Sequence, residues 1–60
     1  MSTVYNPEAE TMAEIERLEL EAREIRRRLD SARNDDDKRV LSQQLKETEQ
    51  QVSVLRQRLP

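Results

Sequence analysis

Apolar residues recur along this chain at alternating intervals of three and four. The first stripe is Ile15, Leu18, Ala22, Ile25, Leu29 and Ala32. The second is Leu41, Leu45, Thr48, Val52, Leu55 and Leu59, with a threonine holding one place. This spacing keeps one face of an α-helix turned toward a neighbouring helix, and so predicts two coiled-coil seams. The two stripes are out of phase. Nine residues separate Ala32 from Leu41, and at about 100° per residue that is half a turn. One straight helix would carry the stripes on opposite faces, so the chain is expected to break between them.

Polar residues mark where the helices begin and stop. Asn6 followed by Pro7, Glu8 and Glu10 reads as an N-cap, a proline at the first helical position and carboxylates near the positive end of the helix dipole. Asn34 followed by Asp35, Asp36 and Asp37 has the same form and lies in the gap between the stripes. These signals predict helix 1 near residues 7–33, a turn near 34–35 and helix 2 near 36–59. Residues 1–6 are read as a flexible tail, with Tyr5 resting against the end of the bundle near Leu59. The chain has no glycine, so Asn34 is expected to supply the left-handed conformation that commonly ends a helix.

The fold class that follows is all-α, an antiparallel two-helix hairpin packed as a coiled coil. Folding helix 1 back on helix 2 about the acidic turn predicts a set of layers. They are Thr11 with Leu59, Ile15 with Leu55, Leu18 with Val52, Ala22 with Thr48, Ile25 with Leu45, and Leu29 with Leu41. The same register brings Glu14 toward Arg58 and sets Glu19 facing Glu49. Glu24 with Arg28, Asp30 with Arg33 and Asp35 with Arg39 are expected as local pairs within the helices.

Composition supports helix and raises a stability problem. Sixty residues make at most one small domain, 40% of them charged and 33% hydrophobic, with no Phe or Trp. Abundant Glu, Arg, Gln and Leu favour helix over sheet. A seam this thin buries little against the conformational entropy of ordering two helices, and the chain has no cysteine to staple it. Association is therefore predicted, most simply as a homodimer that completes a four-helix bundle, or otherwise with another helical protein. Met12, Leu20, Val40 and Val54 lie off the seams, as does Ala13. The four larger ones are the candidate partner interface.

Little in the chain resembles reaction chemistry. Without Cys or His there is no disulfide, no thiol nucleophile and no ordinary zinc site. Consecutive aspartates on a helix point about 100° apart and do not converge on a metal, so Asp35 to Asp37 are read as a helix start. The glutamates of helix 1 lack the enclosed pocket that would tune them for acid–base work. No enzymatic activity, metal or cofactor is expected. No apolar run approaches a membrane span, and the N-terminal residues lack the pattern of a signal peptide. A cytoplasmic protein is the expectation.

Basic residues gather around the acidic turn: Arg26, Arg27, Arg28 and Arg33, with Lys38 and Arg39. Arginine-rich helices bind RNA through phosphates and groove shape. In architecture the predicted hairpin resembles the small dimeric RNA-binding hairpins of the Rop-type fold, although no sequence motif carries that likeness. It implies a nucleic-acid-binding alternative. The net charge of −2, the embedded aspartates and the lack of stacking aromatics oppose it. The sequence therefore reads first as a non-enzymatic protein-interaction or assembly module acting through helix packing.

Overall fold

The structure is a computed structural model, and it describes residues 6–60. It is a two-helix hairpin. Helix α1 runs Pro7–Ser31 and helix α2 runs Asp35–Gln57, and the two lie against each other. The Cα envelope measures 53 × 23 × 12 Å. A single layer of helices leaves both edges of the seam open to water.

Both helix starts form as their sequences dictate. The Asn6 side chain accepts hydrogen bonds from the backbone N–H groups of Glu8 (3.1 Å) and Ala9 (3.2 Å), and Pro7 occupies the first turn. The Asn34 side chain accepts from the N–H of Asp36 at 2.8 Å, and the three aspartates fill the first turn of α2. Tyr5 and the rest of the expected tail up to that residue lie outside the described residues.

The turn differs from expectation. α1 stops at Ser31, two residues short of the predicted end, and Ala32 is extended with φ −70° and ψ 134°. Asn34 is extended too, at φ −98° and ψ 133°, and no described residue has a positive φ. The chain thus reverses at positions 32–34, with Ala32 and Asn34 extended. Asn34 is not a left-handed helix terminator. An N-cap residue needs β-region backbone angles to aim its side chain at the following N–H groups, and that requirement decides its conformation. The absence of glycine therefore puts no strain on the turn. At the far end α2 closes at Gln57, so Leu59 packs from beyond the helix.

Burial is uneven. Ile15, Leu18 and Ala22 are the buried apolar residues, at 4–6% exposure, and all three belong to α1. Thr11, Ile25, Leu29 and Ala32 complete that stripe as half-buried residues. In α2 no residue is fully buried. Leu41, Leu45, Thr48, Val52, Leu55 and Leu59 are all half-buried, and every other described residue from 35 onward is exposed. The second stripe is thus the face that α2 turns to α1, but it is covered from one side only. Thr48 tolerates this place because its hydroxyl donates to the carbonyl of Gln44 at 2.8 Å, leaving the methyl for the seam.

Because Leu18 is enclosed and Leu45 only half covered, truncation should hurt the two unequally. Leu18→Ala should destabilise the fold by about 2–4 kcal/mol and Leu45→Ala by less, since the cost follows the apolar packing removed and the cavity left behind. Urea unfolding followed by circular dichroism would measure both, and equal losses would contradict this placement of the core.

Candidate interaction surface

The helix pair is pinned along one flank by two ion pairs between α1 and α2. Arg26 Nη2 donates to Glu49 Oε2 at 2.6 Å, and Arg56 Nη2 donates to Glu19 Oε2 at 2.7 Å. On each helix the glutamate comes seven residues before the arginine. The antiparallel course therefore matches each acid with the other helix's base.

These pairs correct the expected contacts of the glutamates. Glu19 does not face Glu49 as a like charge, because each has its own arginine. Glu14 is paired with Arg17 on its own helix at 2.7 Å, rather than with Arg58. The cause lies in helix geometry. Side chains lean toward the N-terminus of their own helix. In an antiparallel pair, α1 side chains therefore lean away from the turn and α2 side chains lean toward it. Glu19 thus meets a residue farther from the turn than the one level with it, and that residue is Arg56.

Local pairs account for much of the arginine cluster. Arg27 and Arg28 both bind Glu24, at 2.5 and 3.4 Å, and Arg39 binds Asp36 at 3.3 Å. Arg39 was expected to meet Asp35; it reaches the carboxylate one position nearer. Asp30 and Arg33 do not pair, since Arg33 lies past the end of α1 and the helical spacing no longer holds. Of the six basic residues weighed for nucleic acid, Arg26, Arg27, Arg28 and Arg39 sit on carboxylates. Arg33 and Lys38 form no ion pair within the described residues. A phosphate backbone would have to displace those carboxylates to be gripped.

Beside the pinned flank runs an open groove of about 850 Å³. Its floor is Ala22 and Val52, and Glu19–Arg56 and Arg26–Glu49 cross it on either side of that floor. The groove exists because Ala22 is small. A larger side chain there would fill the space between the helices. Leu20 and Ser53 line the groove as well. Met12 lines a smaller hollow at the open end of the hairpin, with Ile15 and Leu59.

The four apolar residues predicted as a partner interface are all exposed: Met12 53%, Leu20 62%, Val40 57% and Val54 49%. They do not form one patch. Met12 and Leu20 border the grooved side, while Val40 and Val54, two heptads apart on α2, line neither hollow. The periodicity could show that all four lie off the seam. It could not show which side of the folded pair each one takes.

No cluster of three or more acidic side chains in the described residues is placed to hold a metal ion. No described helix is long and apolar enough to cross a membrane. Compared with protein-family models, curated proteins and solved structures, the chain matches none.

Two measurements address this surface. Arg26→Glu should weaken the fold by up to about 1 kcal/mol and Glu49→Arg likewise, with the double exchange recovering most of the loss, because exposed pairs are worth little singly. Melting curves at low salt would read this out, and no recovery in the double variant would break the assigned pair. In a filter-binding titration at low salt the chain should retain no RNA or DNA, since most of its clustered arginines are already neutralised. Salt-sensitive retention abolished by glutamine at Arg26, Arg27 and Arg33 would instead support the Rop-like alternative.

Proposed function

We propose that this protein is a cytoplasmic, non-enzymatic interaction module whose folding is completed by packing against helices of a partner, of which a second copy is the simplest. The observation that carries this reading is that α2 has no buried residue although it supplies half of the seam. Leu41, Leu45, Val52, Leu55 and Leu59 each keep part of their surface in water. Apolar surface left at the edges of a thin seam favours covering by further helices.

Catalysis gains no support from the site. The groove is open, and four of its charged groups, Glu19, Arg26, Glu49 and Arg56, are tied in ion pairs with one another. A general acid or base works best from an enclosed pocket that tunes its acidity, and this groove is open to water.

If association completes folding, stability depends on protein concentration. Helicity at 222 nm and the melting temperature should both rise from low to high micromolar chain. A cooperative, fully helical monomer whose melting temperature stays constant over that range would overturn the reading.

A further inference from the structure

We infer that the groove over Ala22 and Val52 is the self-association face. A second copy docks groove to groove, and Leu20 of each copy enters the groove of the other. This inference rests on the reading that association completes the fold, and it adds which face and which partner.

Three observations lead to it. Leu20 is the most exposed large apolar residue of the described chain, at 62%, and it lines the same groove whose floor is Ala22 and Val52. An apolar knob and a small-residue hole on one face are the ingredients of an isologous contact, because a two-fold axis makes each copy offer both. Ser53, on the α2 side of the groove, is small and exposed, which leaves room for the incoming side chain.

The charges commit the groove to a second copy rather than to an arbitrary helix. Glu19 and Arg26 stand on α1, Glu49 and Arg56 on α2, and each arginine follows the glutamate of its own helix by seven residues. Set two copies face to face about a two-fold axis parallel to the helices, so that α1 of one lies over α2 of the other. Glu19 then meets the second copy's Arg56, and Arg26 meets the second copy's Glu49. The four side chains at each level form a ring of alternating sign, with no like charges adjacent. Every carboxylate and guanidinium gains a second opposite neighbour as water is displaced, which offsets the desolvation that would penalise a lone buried pair. Between the two rings lie the small apolar floors, the inserted leucines and Arg23, which forms no ion pair within the described residues and keeps its long side chain at the rim of the contact. A heterologous helix would need the same alternation at the same spacing.

The face left out is equally specific. Val40 and Val54 are exposed but lie away from the groove, and on this arrangement they stay in water. They therefore serve as an internal control.

Sedimentation equilibrium of the full chain tests the proposal, using the wild type with Leu20→Glu, Ser53→Lys and Val54→Glu. The wild type should be dimeric at high micromolar concentration. Leu20→Glu and Ser53→Lys should each raise the dimer dissociation constant at least about tenfold, the scale set by one buried leucine, while Val54→Glu leaves it unchanged. Ser53→Lys guards against misreading a folding defect, because lysine favours helix and the position lies off the seam. Mixing Leu20→Cys chains with Ser53→Cys chains under oxidising conditions should give a disulfide-linked mixed dimer. A dimer broken by Val54→Glu but indifferent to Leu20→Glu and Ser53→Lys would overturn the face and leave self-association standing. A missing mixed crosslink would overturn the arrangement of α1 over α2. A wild type that stays a folded monomer would overturn the second copy as occupant, and with it the reading on which this inference rests.

Discussion

The structure depends on covering a short apolar stretch of α1. Ile15, Leu18 and Ala22 are the residues taken out of water, and α2 is the element that covers them. Coverage requires α2 to return along α1, and that requires the chain to reverse where its apolar phase is interrupted. The half-turn slip between the stripes is therefore a structural signal. It prevents one continuous helix from burying both stripes on the same side, and it leaves the hairpin as the arrangement in which each stripe covers the other.

Charge adds direction to this burial. Glu19, Arg26, Glu49 and Arg56 occupy the same flank of the seam on their respective helices. In an antiparallel pair that flank meets its counterpart, and acid meets base twice. In a parallel coiled coil it would meet the opposite flank of the neighbour, setting Glu19 and Arg26 beside Gln44 and Gln51. Each ion pair is exposed and weak by itself. Their combined effect is to favour one orientation and alignment over alternatives that would bury similar apolar area. The local pairs of Glu24 with Arg27 and Arg28, and of Asp36 with Arg39, stabilise each helix without choosing its neighbour.

The same economy of apolar residues shapes what the protein can do. A groove arises where the seam narrows to alanine, and four of the charged residues around it are mutually paired. We propose that such a surface serves recognition by shape and charge alternation. Four of the five arginines in the cluster, conspicuous as a run of letters, are divided in the folded chain among the carboxylates of Glu24, Asp36 and Glu49. A count of basic residues therefore overstates the positive field that a polyanion would meet.

The sequence by itself determined the elements and their inward faces. Periods of three and four, Asn6 with Pro7, and Asn34 with its aspartates are local signals, and local backbone chemistry suffices to act on them. It did not determine the conformation of the turn, where the capping demand on Asn34 held it extended although a left-handed residue was expected. Nor did it determine the partners of Glu14, Glu19 and Glu49. Those depend on the lean of side chains in two opposed helices, which no reading of a single strand contains. The unequal burial of the two stripes, and the separation of Leu20 from Val54, were likewise decided only in the tertiary structure. Solvent exposure and shared surfaces are properties of two helices placed side by side, whereas periodicity reports only the angle of a residue around its own axis.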